Sequence, residues 1–397
     1  MFDQPNSYCY SIKVLLLIIF VKTLIMNAVA PIAKKRIDSI DIVRGIVMII
    51  MALDHTRDFF TDSSADPTDL TRVSTALFLT RFITHYCAAT FVFLAGTGAF
   101  LSISRGKTKW EACKFLVSRG LWLIILELTI IHWGWGFGYF LQVIWAIGVS
   151  MIVLGVMVFL PVSVITALGL IMIFGHDLFD RLKPTDFTGA ESTLWSFLHV
   201  QGVVKLFGED VFILYPLIPW VGVMMAGYGF GKLYTIDAPT RKKYLRLIGC
   251  SAILLFVLIR SFNFYGDPSL WTEQGSVIRT VLSFINVSKY PPSLDYLLIT
   301  LGPVILLLSF LEDVQNSLTN VAVLFGRVAL FYYILHLYLI HGLAILIAAI
   351  SGSTKGLSFS LPVVYLLWAL VIFILYFPCR WFMQYKRTHN QWWLSYF

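Results

Sequence analysis

Apolar residues in this chain do not alternate with polar ones. They come in runs of about 20, the length at which a helix rising about 1.5 Å per residue crosses the hydrocarbon core of a bilayer. The runs fall at roughly 11–30, 40–60, 77–103, 115–133, 139–160, 162–179, 211–234, 246–264, 294–311, 322–348 and 361–385. They predict an all-α, polytopic membrane bundle of ten to eleven transmembrane helices. The longest polar stretches, about 180–210 and 265–292, both contain Trp, Gly and Pro. Neither a soluble domain nor an internal repeat is visible. The expected division is 1–33 as an N-terminal hydrophobic extension or extra span, and 34–390 as one multi-pass domain.

Composition agrees. The 397 residues are 58% hydrophobic and 13% charged, against about 45–50% apolar and 25% charged in a soluble domain. The formal net charge of +8 therefore reads as loop charge on a membrane protein, and no nucleic-acid partner is expected. Basic residues cluster at Lys34-Lys35-Arg36, at Arg105, Lys107, Lys109 and Lys114, at Arg241, Lys242, Lys243 and Arg246, and at Lys386-Arg387. A chain weaving through the predicted spans puts all four clusters on one side, the cytoplasm by the positive-inside rule, with the C-terminus. The acidic "TDSSADPTDL" of 61–70 then lies outside. The first run is open to three readings: a true span, an uncleaved signal-like helix ending in Ala28-Val29-Ala30, or an extension before a start at Met26. The five cysteines (9, 87, 113, 250, 379) form no CxxC pair. Neither a disulfide framework nor zinc spacing follows, and no metal is expected.

The run at 40–60 is the least ordinary. Asp41, Arg44, Met48, Met51 and His55 are spaced 3, 4, 3, 4, which puts them on one helix face, and Asp58 continues it. Asp41 and His55 are thus about 21 Å apart along the axis. Charges inside a span cost at least about 2.5–3.5 kcal/mol each, so this stripe should face the bundle interior or a wet cavity. Asp41 and Arg44 also suit a simple ion pair at the helix start. Asp54, His55 and Asp58 together exceed what anchoring needs.

Other runs add polar groups. Arg81 and His85 stand four apart near the outer end of their span. Ala95, Gly96, Gly98 and Ala99 follow, small residues suited to close helix packing. "SRGLWLIILELTIIHWGWGFGYFLQVIW" holds Arg119, Glu127, His132 and Gln142. Glu127 needs a partner or a proton there, as counter-ion to an Arg of another helix or as a catalytic group. His336 falls mid-span and His341 near the outer face. Walker A, GxGxxG, HExxH and GxSxG patterns are absent.

Taken together, "RIDSIDIVRGIVMIIMALDH", "ATFVFLAGTGAFLS", "GYFLQVIWAIG", "YPPSLDYLLITLGP" and "FGRVALFYYILHLYLIH" resemble the bacterial relatives of the heparan-alpha-glucosaminide N-acetyltransferase catalytic-domain family, from about Arg36 to about His341. The resemblance implies acyl transfer across a membrane: acetyl-CoA supplies the acyl group from the cytoplasm, and an extracytoplasmic sugar amine or hydroxyl, on a glycan or glycolipid, receives it. The chain departs from the animal branch in its histidines. "TDSSADPTDLTR" has none, while His55 stands where that branch carries Asn and His85 where it carries Asp.

On this reading His55 is the candidate base, oriented by Asp58, with Asp54, His85 and His336 as further catalytic candidates. Asp41, Arg44, Arg105, Lys107, Arg119 and Gln142 form the candidate donor-binding group, since Arg forks pair well with phosphate. Partners are membrane lipids, acyl-CoA and the acceptor; a bacterial host would place the protein in its cytoplasmic (inner) membrane. The alternative is a proton-coupled transporter or flippase of a charged sugar or glycolipid, using the same His, Asp and Glu as a relay. A third reading, a scaffold without a small-molecule site, accommodates the in-span charges poorly.

Overall fold

The computed structural model describes residues 38–61, 66–136, 138–206, 208–352 and 357–397. The three readings of the first apolar run lie outside them. The helices run in chain order as α1 (Asp38–Phe60), α2 (Thr75–Ile103), α3 (Lys109–Trp135), α4 (Val143–Met157), α5 (Val162–Gly175), α6 (Ala190–Leu198) and α7 (Leu217–Phe230). They continue as α8 (Ala238–Phe262), α9 (Val277–Ile285), α10 (Leu294–Phe310), α11 (Ser317–Arg327), α12 (Ala329–Ser351) and α13 (Leu361–Thr388). Their starts follow local chemistry. Ser74, Thr108, Asp237 and Ser293 each accept a first-turn backbone N–H that would otherwise lack a partner.

Six described helices are long and apolar enough to cross a membrane: α2, α3, α5 with its 3-10 extension to Phe179, α8, α12 and α13; α4 and α10 are shorter apolar helices. Their outward faces are greasy. Leu121, Ile125, Ile171, Leu254, Leu366 and Phe373 are all exposed, a surface that suits lipid and not water. The protein is an integral multi-pass membrane protein.

Helix α1 owes its charges to its place. It packs against α2, α10, α11, α12 and α13, so almost none of it faces outward. Its contact with α11 is close because both sides supply glycine. A Cβ on Gly45 would lie 1.8 Å from the Ala322 carbonyl oxygen, and one on Gly326 would lie 1.9 Å from that of Asp41. The small residues of α2 act likewise: a Cβ on Gly96 would meet the Met224 oxygen of α7 at 2.0 Å.

Three expectations need correction. The chain is not wholly helical: β1 (Tyr139–Leu141), β2 (Gly202–Leu206) and β3 (Glu209–Ile213) form a sheet of order β1-β3-β2. Strands β1 and β3 are parallel with Tyr139 opposite Val211, and β2 and β3 are antiparallel with Val204 opposite Val211. Leu141, Val204, Val211 and Ile213 form its core, and Gly208, at φ 90°, serves the hairpin turn. Second, the runs read as starting at 139 and 211 begin with these strands, so α4 and α7 are shorter than the runs. Third, the run at 322–348 is two helices. Val328 (φ −123°, ψ 35°) breaks it, and α11 caps itself through Asn316 and Thr319.

Candidate functional site

At the His55 end of α1 the described structure holds a cavity of about 600 Å³, within the range of small-molecule sites. Several sections of chain build it, Trp135 of α3 and Tyr333 of α12 among them. Helix α1 supplies Asp54 and His55, and α2 supplies Arg81, Thr84 and His85. The sheet supplies the wall with Gln142 and Tyr215, because Leu214 and Tyr215 both donate their N–H to the Leu141 carbonyl. The segment after α9 supplies Lys289 and Tyr290.

That last segment is irregular backbone held by polar bonds. Arg260 donates to the carbonyls of Ser269, Phe284 and Asn286 at 2.8–2.9 Å. Asp267 accepts from Ser288 N at 2.7 Å and Ser293 Oγ at 2.6 Å. Burial pushes the Asp267 carboxyl above its usual range, while its hydrogen bonds and Arg260 pull the other way.

Two histidines meet at the cavity. His55 Nδ1 is 2.6 Å from His336 Nε2 on α12, and the rings stack at 4.9 Å between centroids. His336 Nδ1 lies 3.2 Å from the Tyr332 carbonyl oxygen, which can only accept. The consistent tautomer assignment follows: His336 donates from Nδ1, its Nε2 accepts from His55 Nδ1–H, and His55 Nε2 keeps a free lone pair. Trp135 and Tyr333 pack edge-on against His55 at 4.7 and 6.2 Å, so with His336 the imidazole is held on three sides. His336 is fully buried; His55 is half-buried and lines the cavity.

The carboxylates have other work. Asp54 accepts from Arg81 at 2.8 and 2.9 Å and from Thr84 at 2.9 Å, and it pairs with Arg57 at 2.7 Å. Asp58, expected to orient His55, instead takes Arg57 at 2.6 Å and is exposed. It points to the guanidinium because His336 already occupies His55 Nδ1. His85 is buried, its Nδ1 has no hydrogen-bond partner among the described residues, and it lines the same cavity.

The remaining candidates divide. Gln142, grouped with the basic residues in the sequence, lines the His55 cavity instead. Asp41 and Arg44 sit at the other end of α1, 3.5 Å apart. Asp41 also takes Arg327 at 3.2 Å, and Arg327 reaches Asp38 at 3.0 Å. Arg44 Nη1 points at the Gly326 carbonyl at 3.4 Å. Arg119 lies within electrostatic reach of Arg44 and donates to the Ser395 carbonyl at 3.1 Å. Arg105 is exposed in the loop after α2, and Lys107 lies over the Phe115 ring at 3.8 Å. Among the described residues Glu127 pairs with no arginine. It opens a π-helical turn in α3 and accepts the Trp145 N–H at 3.1 Å, capping α4.

Sequence reasoning missed Lys289, Tyr290 and Tyr333 as site residues. The first two lie in a stretch that reads as a polar loop. Arg57 and Arg81 were visible as charges and Asp54 as a candidate, but not that the two arginines share Asp54.

A model of the family described as "Heparan-alpha-glucosaminide N-acetyltransferase, catalytic" matches residues 36–272, more than half of the chain. That stretch includes α1, α2, the sheet and most of the cavity wall. A comparison with curated proteins found no match.

Proposed function

Because the chain belongs to the heparan-alpha-glucosaminide N-acetyltransferase catalytic family, we propose that it moves an acetyl group from acetyl-CoA, held at the Asp41–Arg44 end of α1, to a sugar amine or hydroxyl in the His55 cavity. The observation that carries this reading is the His55–His336 pair. It leaves an unprotonated Nε2 at a cavity large enough for a sugar, on a helix whose far end carries Arg44. The donor end faces the cytoplasm and the cavity faces away from it, in keeping with the basic clusters.

The chemistry is acyl substitution. His55 Nε2 takes the proton of the acceptor N–H or O–H as that atom attacks the thioester carbonyl carbon. The new C–N or C–O bond forms, the C–S bond breaks, and CoA leaves as the thiol with the proton that His55 took up, which returns the imidazole to its neutral form. His336 holds the His55 ring and shares the positive charge that develops through the short N···N contact. Arg44 and Arg119 are the groups for CoA phosphates. The thin pantetheine arm is the part of the donor that a path beside α1 must admit.

The test is acyl transfer by the purified full chain, with acyl-CoA binding measured separately. General-base help is worth about 10²–10⁴ in rate. His55→Ala should lower transfer by about that factor with acyl-CoA binding unchanged. Arg44→Ala should weaken acyl-CoA binding first. Full activity in His55→Ala would move the base to His85. Absence of acyl-CoA binding by the wild-type chain would overturn the enzyme reading in favour of a transporter.

A further inference from the structure

A second cluster of histidines lies apart from the His55–His336 pair, and acyl transfer has no use for it. Helix α5 runs into a 3-10 turn, His176–Phe179, and Asp180 follows. The chain returns through α6, whose C-cap is His199. One ligating atom each from His176, Asp180 and His199 lies within 4.8 Å of the others. His199 Nε2 is already 3.0 Å from Asp180 Oδ1, and the two imidazoles meet edge-on at 5.6 Å.

The second observation is what these rings lack. His176 is 1% exposed, and among the described residues neither ring nitrogen makes a well-aligned hydrogen bond, although the Pro292 backbone is within its reach; His199 is 1% exposed, and its Nδ1 has no partner among them. Asp177 Oδ1 approaches His176 Nδ1 to 3.2 Å but is too poorly aligned to accept its proton. A buried polar group without a partner costs about 1–3 kcal/mol. Three such nitrogens in one small cluster ask for an occupant.

We propose that His176, Asp180 and His199 form a binding site for a divalent transition-metal ion, with zinc the best-suited occupant. Two imidazoles and one carboxylate are borderline ligands that suit zinc and its neighbours and do not suit calcium or magnesium. Three protein ligands leave a fourth tetrahedral position for water. Asp177, beside His176, is placed to turn and orient that ring, as carboxylates do behind metal-bound histidines. Phe179 and Trp195 pack on His199 at 6.2 and 5.2 Å and hold its ring in place. Asp180, with 21% of its side chain exposed, leaves a way in for the ion.

The ion would act as a clip. It would join the end of α5 to the end of α6, just before Gln201 reaches the His55 cavity. Asp177 Oδ2 extends the connection by accepting the Leu294 N–H of α10 at 3.0 Å. The site therefore braces the cavity rim whatever the cavity turns over, and it does not rest on the acyltransferase reading.

The experiment uses the tag-free full chain in detergent, stripped with a chelator and titrated with zinc alone against a chromogenic competitor. Cobalt(II) reports coordination geometry in the visible spectrum. Wild type should take up about one equivalent, give tetrahedral cobalt bands and melt at a higher temperature with zinc than without. Asp180→Asn and His199→Gln should each weaken zinc at least about tenfold, lose the bands and melt at the same temperature with or without zinc. Their metal-free melting temperatures, compared with wild type, report folding. Should His199→Gln fail to fold, the part-exposed Asp180→Asn carries the test alone. Equal zinc uptake by wild type and Asp180→Asn, or none by wild type, overturns the proposal.

Discussion

His55 and His336 come from different helices, and the 2.6 Å between their nitrogens makes them one unit. A neutral imidazole is a weaker orienting partner than a carboxylate, but it carries no charge into a buried site, where an unpaired charge is expensive. The real carboxylate nearby, Asp54, is consumed by Arg57, Arg81 and Thr84. Residues that act as a unit give non-additive losses. His336→Ala should therefore lower transfer by about ten- to a hundredfold, at or below the lower end of the range set for general-base help. The His55→Ala/His336→Ala double variant should be no slower than His55→Ala alone. Turnover of the three variants under one set of conditions checks this. Losses that multiply would separate the two histidines.

Helix α1 is the element on which both ends of the site hang. Its charged stripe is tolerable only because five helices surround it, and the tightest of these contacts, with α11, depends on Gly45 and Gly326. Here a side chain would meet backbone, which cannot rotate away. Gly45→Leu should cost several kcal/mol, beyond the roughly 1–3 kcal/mol of ordinary overpacking, and abolish the monodisperse folded peak in size-exclusion chromatography. Gly175→Ala is the control. A Cβ there meets nothing within 4 Å, so its melting temperature should stay close to that of wild type. Equal behaviour of the two variants would refute the close crossing. The break at Val328 matters at the same scale. It separates α11 from α12, so that Arg327 can turn to Asp38 and Asp41 while His336 meets His55.

For the whole molecule the question is which face is which. The His55 cavity and the metal-ligand cluster lie in the segments joined to the sheet, while Arg241, Lys242 and Arg246 lie on α8. Arg241 pairs with Glu312 and Lys242 with Asp313, tying that basic start to the end of α10. On the proposed topology α7 carries the chain from the sheet to the basic face. In a chain freed of native cysteines, Cys placed at Lys205 and at Lys243, both exposed, should label from opposite sides with an impermeant thiol reagent. Labelling from the same side would invert the placement of donor and acceptor. Both positions flank a single helix, so the outcome does not depend on the first apolar run.

Much of this was written in local pattern. Apolar run length alone places most membrane helices to within a few residues, because a span must satisfy its backbone internally and a helix does so without help from the rest of the chain. The 3-4 spacing of Asp41, Arg44 and His55 likewise put a polar stripe on one face of α1, and its charge demanded a buried or wet surrounding. What only the tertiary structure decided are the pairings. His336 lies 281 positions from His55, and nothing in the spacing of either residue names the other. Asp58 was the local choice as its partner, but Arg57, adjacent and charged, takes that carboxylate, and His336 takes the imidazole. Gln142 changed ends because a parallel β1–β3 pairing, invisible to apolar run length, draws it to the cavity wall. His176 and His199 read separately as two polar residues at the ends of unremarkable segments, and only the return of α6 brings them to one point. Helix periodicity is a property of neighbours along the chain, whereas a site is made by residues that packing, and nothing local, brings within hydrogen-bond distance.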